Sequence, residues 1–373
     1  MEDVQLTRIH LEEDTARSTH DEKTDATLVD YNRAGVPLME LVTEPVIESA
    51  EVAGKFAREL QTLLRYLDVS EANMEKGEMR VEANVSVSKS KEFGTKVEIK
   101  NLNSFRAMER AVAFEIERQV NLLEKGEKVV QETRGWDEAK QQTFAQRQKE
   151  GSADYRYFPD PDLPKLHLNE IEEYTKEHIE KSLPELPWQR REKYLSLGIK
   201  PEDADMYVKN RGIGAFFDEV SKVLKTKEKA LLASNYISTD LVKIIRDINK
   251  RDTENSTEIT EIPISTVHFV ELIEMLDGDK ISSRAGKDIL FEVIETGKSP
   301  SEIAEKKDLF QKSDEGSLEA VVDKVISENE NVVADFKSGK ESALQFLVGQ
   351  GMKETRGSAN PQVLAKMLSE KLQ

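Results

Sequence analysis

The chain has no cysteine among its 373 residues. That absence excludes disulfides, thiolate nucleophiles and cysteine-ligated zinc together, and it fits a reducing compartment, the cytoplasm. Long apolar runs are missing too. No stretch of about 18 apolar residues occurs, so no membrane-spanning helix is expected. The opening MEDVQLTRIH has neither the basic nor the apolar region of a signal peptide. Positive charge is in deficit: the formal net charge is −18, so any RNA contact needs a local basic surface. Familiar catalytic signatures are absent as well. The stretch Ser283-Arg284-Ala285-Gly286-Lys287-Asp288 fails as a phosphate-binding loop at its spacing and its last residue. There is no HExxH, no GxSxG and no glycine-rich dinucleotide loop, and the 5 histidines are too scattered for a histidine-rich metal site.

What remains is the composition of an ordinary globular protein, 34% charged with 11 prolines. At about 150 residues per domain, two or three domains are expected. Residues 4–12, VQLTRIHLE, alternate as a strand does, with Ile9 and Leu11 on one side and Arg8, His10 and Glu12 on the other. An acidic turn, Glu12-Glu13-Asp14, follows. LVDYNRAGVPLMELV reads as two short strands around Asn32-Arg33-Ala34-Gly35. Ser49 is placed to cap a helix running to about Asp68. MRVEANVSVS (79–88) and TKVEIKN (95–101) alternate apolar and polar residues about a polar, Gly-containing connection, which predicts a hairpin with one wet face. A long amphipathic helix is expected from about Ser104 to Leu123, and a Pro/Asp-rich loop at 151–164. From Pro184 to about 306 the pattern is helical nearly throughout, with a polar loop at 249–263. Residues 307–373 read as a small helical module.

Three places are candidates for chemistry. The first is the carboxylate set Glu12, Glu13 and Asp14, with Glu40 elsewhere in the chain. Hard oxygen ligands of this kind suit Mg²⁺, which takes one or two carboxylates plus substrate phosphates. The plain alternative is a solvated acidic turn. Glu40 lies inside the apolar run VPLMELV, where a bare carboxylate is costly unless a cation meets it or the strand has a wet face. The second is the polar face carrying Arg80, Glu82 and Asn84 beside Lys96, Glu98 and Lys100: either a substrate-facing surface or an ordinary exposed charged face. The third is FLVGQGMKETRGSANPQ (346–362), where Lys353, Arg356 and Asn360 cluster near glycines that let a nucleic-acid backbone come close. Residues 337–373 hold six Lys/Arg against three Glu, a local excess of +3. The alternative there is a helix–turn–helix packing unit with solvated lysines.

The stretches HLEED (10–14), STHD (18–21), NRAGVPLMELVTEP (32–45), GTKVEIKNLNSF (94–105), QETRGWDE (131–138), DYRYFPDPDLP (154–164), ELP (185–187), FLVGQGMK and GSANPQ carry a resemblance. In order and over nearly the whole chain, they resemble the B subunit of the tRNA-dependent amidotransferases. The resemblance implies a protein that works with the amidase A subunit and usually with the small C subunit. It implies binding of Glu-tRNA(Gln), and often Asp-tRNA(Asn), and use of ATP and Mg²⁺ to phosphorylate the side-chain carboxylate of the attached amino acid. Ammonia released from glutamine by the amidase would then displace the phosphate. By the same resemblance Glu13 and Glu40 match metal-site glutamates, and Glu82 matches an acidic position on the ammonia route, with glutamate where aspartate is usual. His10, Asn32, Arg33, Lys100 and Asn101 lie in motifs of the same domain without an implied role.

The family's pattern also includes an earlier strand bearing Gly-Leu-Glu-Val-His-Val, whose Glu and His join the metal site. The chain is therefore expected to hold only part of that site, and to act either as the catalytic subunit or as a catalytically incomplete tRNA-binding fragment. Thr15-Ala16-Arg17 stands where the family usually has Ala-Gly-Lys, a difference expected to alter the turn after the metal ligand. The archaeal E subunit shares this architecture but carries a large extra domain, which the short spacing here disfavours. The expected fold is α+β: a mostly antiparallel sheet domain over 1–183, an all-α domain over 184–306 and a tRNA-gripping tail over 307–373.

Overall fold

The computed structural model describes residues 3–21, 23–148, 161–249, 259, 261–311, 315–338, 340, 342–355 and 359–372. The chain divides into two compact units, Met1–Leu186 and Pro187–Gln373. The fold is α+β, with the strands in the first unit and helices throughout the second.

The first unit opens with strands β1 (Leu6–Glu13), β2 (Arg17–Asp21), β3 (Ala26–Asp30) and β4 (Pro37–Thr43). β1 pairs antiparallel with β4, and β2 pairs with β3 as a hairpin inserted between them. The turn from β3 to β4 is built by Gly35 at φ 80° and by Arg33, whose Nε donates to Asp14 Oδ2 at 2.7 Å and whose Nη1 donates to Gly77 O at 2.9 Å. Asp14 thus belongs to the architecture of this turn.

Helix α1 (Ala50–Tyr66) starts where Ser49 Oγ accepts from Val52 N at 3.2 Å. Strand β5 (Val81–Val85) and strand β6 (Val97–Leu102) form the expected antiparallel pair. Helix α2 (Phe105–Glu124) begins at Ser104, which accepts from Ala107 N at 3.0 Å. Strands β7 (Glu132–Asp137) and β8 (Gln142–Gln148) complete a four-stranded sheet in the order β5-β6-β7-β8. The sheet is mixed: β6 and β7 run parallel, with Glu98 beside Thr133 and Lys100 beside Gly135. The strand pairs are mostly antiparallel, as expected; β6 and β7 are the parallel exception, and α2 is the crossover that parallel neighbours require. One face of the sheet packs on α1 and α2 through Val85, Ile99, Leu102, Met108, Ala111 and Trp136.

A fully buried glutamate, Glu115, sits on the sheet side of α2. It accepts from Arg118 Nε and Nη2 at 2.9 and 2.7 Å, from Gln119 Nε2 at 2.9 Å and from Thr143 Oγ1 at 3.1 Å. Gln119, also buried, donates to Val85 O at 3.2 Å and accepts from Val87 N at 3.0 Å. The network ties the crossover helix to β5 and β8, with each buried oxygen matched to a donor. The Glu115 hydrogen bonds outweigh burial and hold the Arg118 guanidinium above its ordinary value. A short helix α3 (Lys176–Ser182) ends the unit. The loop expected at 151–164 lies outside the described residues up to 160.

In the second unit, α4 (Pro187–Ser196), α5 (Pro201–Lys209), α6 (Arg211–Leu224) and α7 (Lys227–Tyr236) pack in succession. A π-helical turn at Ile237–Leu241 leads into α8 (Val242–Asn249). Tyr194, Tyr207 and Phe217 interlock at their centre, with the last two stacked at 4.6 Å. The approach of α5 to α6 depends on Gly214, where a Cβ would run into Tyr207 O. Helices α9 (Thr266–Asp277), α10 (Ser283–Thr296) and α11 (Pro300–Lys306) follow. Most of the loop expected at 249–263 lies outside the described residues. The remainder is α12 (Glu315–Glu328), α13 (Glu330–Lys337), α14 (Ser342–Glu354) and α15 (Pro361–Leu372), which share a core of Leu318, Val322, Val325, Leu347, Leu364 and Leu368.

Candidate functional site

Register decides what the β1–β4 ribbon presents. His10 lies directly across from Glu40, and Glu12 across from Leu38. Side chains alternate faces, so Arg8, His10, Glu12 and Glu40 share one face. Glu13 pairs with Pro37 and points to the other face, with Ile9, Leu11 and Met39. The structure therefore brings Glu40 together with Glu12 and His10 and does not bring it together with Glu13. Glu12 and Glu40 are diagonal neighbours, a separation of about 7–8 Å that long side chains can close. His10 Nε2 lies 3.8 Å from Glu12 Oε1, and Arg8 Nη2 lies 3.2 Å from Glu40 Oε2.

Glu40 is not buried. Its side chain is 46% exposed, so the apolar neighbours in sequence belong to a strand with a wet face, and the cation that meets it here is Arg8. Among the described residues no group of three or more His, Asp or Glu side chains is arranged to hold a metal. What fits on this ribbon is a two-carboxylate hold by Glu12 and Glu40, the kind Mg²⁺ accepts when phosphates complete its shell.

The second place is the sheet face turned away from α1 and α2. Ala83 opposite Ile99 and Asn84 opposite Glu98 put Glu82 across from Lys100. The register then shifts: Val81 meets Leu102, so β6 carries one extra residue, Asn101, at φ 60°. A bulge with its odd residue in the left-handed region re-aims neighbouring side chains, and asparagine tolerates that conformation. Lys100 Nζ lies 3.3 Å from Glu82 Oε2 and 3.6 Å from Glu98 Oε1. Glu98 is 9% exposed and accepts from Thr133 Oγ1 at 2.9 Å. Burial favours the neutral amine at Lys100, but the two carboxylates outweigh it and hold the ammonium above the usual lysine value. Gly135 lies next to Lys100 on the parallel strand. A Cβ there would stand 2.6 Å from Phe144 Cζ and from Gln146 Nε2, so a side chain at this position would make both neighbours shift.

The third place lies within the second unit. Lys353 and Asn360 line one cavity of about 960 Å³, together with Ser282, Ser283, Arg284 and Pro361. Asn360 is 8% exposed and caps α15, its Oδ1 accepting from Gln362 N at 2.9 Å. Ser282 caps α10 in the same way, accepting from Ala285 N at 3.2 Å. Two helix N-termini and two cationic side chains thus border the cavity. Lys353 is exposed and makes no ion pair among the described residues, whereas Lys371 is held by Glu319 and Asp323, and Lys340 by Asp335. Arg356 lies outside the described residues.

Reasoning from the sequence put Glu82, Glu98 and Lys100 on one polar face but missed the Glu98–Thr133 pair. A signal for the bulge was available in Lys100-Asn101: a charged residue followed by a residue that tolerates positive φ, inside a strand. Of the carboxylates named from the sequence, Glu12 shares a strand face with Glu40 and Glu13 lies on the other.

Comparison with known proteins agrees with this architecture. Residues 1–173 match the model of the GatB/GatE catalytic domain, and residues 215–372 match that of the GatB domain. The aspartyl/glutamyl-tRNA(Asn/Gln) amidotransferase B subunit of Carboxydothermus hydrogenoformans is 42% identical over 375 residues, covering 99% of this chain and 75% of that protein. Its counterpart in Thermotoga maritima is 42% identical over 377 residues, covering 99% and 76%. The chloroplastic/mitochondrial glutamyl-tRNA(Gln) amidotransferase B subunit of Sorghum bicolor is 42% identical over 371 residues, covering 98% and 65%. No helix among the described residues is long and apolar enough to cross a membrane. With both domain models matched in order and this identity across nearly its whole length, the chain belongs to the family of tRNA-dependent amidotransferase B subunits.

Proposed function

We propose that this chain, partnered by the amidase A subunit and the small C subunit, phosphorylates and then amidates the side-chain carboxylate of glutamate carried on tRNA(Gln), and of aspartate carried on tRNA(Asn). ATP donates its γ-phosphoryl group to the carboxylate oxygen, giving an acyl phosphate and ADP. Ammonia attacks the acyl carbon, the C–O bond to phosphate breaks, and inorganic phosphate leaves with the electron pair. The observation that carries this reading is the 42% identity over 99% of the chain to a B subunit of this enzyme class.

Bound between carboxylates and phosphates, Mg²⁺ would supply charge neutralisation for phosphoryl transfer. Glu40 and Glu12 are the residues that would hold it, with His10 beside them. The family resemblance points to Glu13 in place of Glu12, and the register favours Glu12. Arg8 is the cation beside Glu40 in this structure, at 3.2 Å. Glu82 would lie on the ammonia route. Lys353, Arg356 and Asn360 would grip the tRNA backbone, in a tail domain over 307–373 that follows the helical domain over 184–306 and the catalytic domain over 1–183. The separate apolar core of α12–α15 supports treating that tail as its own domain.

The test is ADP release by the chain together with its amidase partner, with and without Glu-tRNA(Gln). Glu40→Gln is expected to abolish the tRNA-stimulated part while leaving tRNA binding intact, and full activity in that variant refutes the assignment. Glu12→Gln and Glu13→Gln tested side by side decide which glutamate acts with Glu40. A second reading, tRNA holding without catalysis, draws on the two-carboxylate arrangement: among the described residues no third ligand joins it. Binding of Glu-tRNA with no ADP release in any condition would favour that reading.

A further inference from the structure

The polar row Glu82–Lys100–Glu98–Thr133 crosses three strands on the face away from the hydrophobic core. Its members are unequal. Glu98 is buried and tied at 2.9 Å to the Thr133 hydroxyl of the parallel strand. Lys100 is partly covered, and Glu82 is half-exposed, with 47% of its side chain accessible. A buried carboxylate without a cation is strongly disfavoured, so Glu98 holds Lys100 in place. Lys100 then has one ammonium to share, and its shorter contact, 3.3 Å against 3.6 Å, goes to Glu82. The extra residue Asn101 directly after Lys100 makes this arrangement a feature of the backbone as well as of the side chains. Order therefore passes from a fixed anchor, Glu98 with Thr133, through a cation to the one carboxylate of the row that is open to small molecules.

We propose that Lys100 is a positioning residue for nitrogen delivery: braced by Glu98 and Thr133, it orients the Glu82 carboxylate so that its free oxygen accepts N–H hydrogen bonds from ammonia passing to the acyl phosphate. This rests on the reading of Glu82 given above. An oriented acceptor costs less ordering when ammonia arrives than a freely rotating one, and misplacing such a group by about 1 Å costs up to about a hundredfold in rate. Lys100 touches no reacting atom; it acts only through Glu82.

The test uses the assembled amidotransferase with Glu-tRNA(Gln) and ATP, and compares glutamine with saturating ammonium chloride as nitrogen donor. Lys100→Met is expected to lower glutamine-supported amidation about tenfold or more while ammonium-supported amidation and ADP release change less than about twofold. Lys100→Arg, which keeps the cation, is expected to restore most of the coupling. Glu82→Gln is expected to lower glutamine-supported amidation as well, and the double variant to lose no more with that donor than the larger of the two single losses. Equal loss with both donors in Lys100→Met, or failure of Lys100→Arg to recover any coupling, overturns the proposal as a general structural effect. If Glu82→Gln loses coupling and Lys100→Met does not, the positioning role falls alone. If Glu82→Gln keeps full glutamine-supported activity, the reading of Glu82 falls and the inference with it.

Discussion

Replacing Glu115 by alanine removes the one carboxylate that serves four side chains under α2. Arg118 loses two hydrogen bonds, Gln119 and Thr143 lose one each, and Arg134, whose Nε lies 3.6 Å away, loses a counter-charge. Arg118 is 21% exposed and Arg134 12% exposed, so water cannot fully replace what is lost. Breaking a buried pair on one side costs about 3–5 kcal/mol. Arg134 keeps Glu132 as a partner, which puts the expected loss near the lower end, about 3 kcal/mol. Glu115→Gln keeps the shape and part of the acceptor capacity, and is expected to cost about 1–2 kcal/mol.

The assay follows from the placement of the 2 tryptophans, one in each unit: Trp136 is in the core of the first and Trp188 is in the second. In a Trp188→Phe background, urea unfolding followed by Trp136 emission reports on the first unit alone. With a slope of about 2 kcal/mol/M, Glu115→Ala should lower the midpoint by about 1.5 M. Glu109→Ala, which breaks the more exposed pair with Arg58, should move it by less than about 0.5 M. A shift for Glu115→Ala no larger than that for Glu109→Ala would refute the reasoning that burial makes this network strong.

Gly214→Ala should destabilise the second unit by about 1–3 kcal/mol, read as a lower melting midpoint, because the new methyl meets Tyr207 O. Burial raises the Tyr194, Tyr207 and Tyr236 phenols above their ordinary value of 10.0. Up to that pH folded and unfolded chains both keep these protons, so the stability contribution is constant. Above it the unfolded chain releases them first, and stability falls as pH rises. Tyrosinate absorbance from these three should therefore appear together with unfolding, and a smooth titration in the folded protein would contradict the packing. Lys353→Ala should weaken tRNA binding and reduce the slope of log K against log salt by about 1, measured by filter binding. An unchanged slope would remove Lys353 from the interface.

Much of the local structure was legible because its causes are local. Ser49 and Ser104 announce their helices by chemistry that acts within three residues, and the β5–β6 pair follows from alternation alone. The parallel neighbour β7 was not legible, because nothing in Glu132–Asp137 says which edge it will join. Nor was the Glu115 network. Glu115 and Gln119 continue the buried stripe of Ala111 and Val112 along α2, and polar residues in that stripe look like the solvent side of a helix until their partners on β5 and β8 are known. Which of Glu12 and Glu13 shares a strand face with Glu40 is a matter of parity. Adjacent residues on a strand face opposite ways, and a motif matched by similarity alone carries no pairing register.

The crossover by α2 also sets the two ends of the polar row apart in chain entropy. A helix of 20 residues lies between the strands that carry Glu98 and Thr133. The brace of Glu98 by Thr133 spans 35 residues of chain, whereas Lys100 and Glu82 sit on neighbouring strands of one antiparallel pair. The anchored end of the polar row therefore carries the larger loop-closure cost, and its exposed end the smaller.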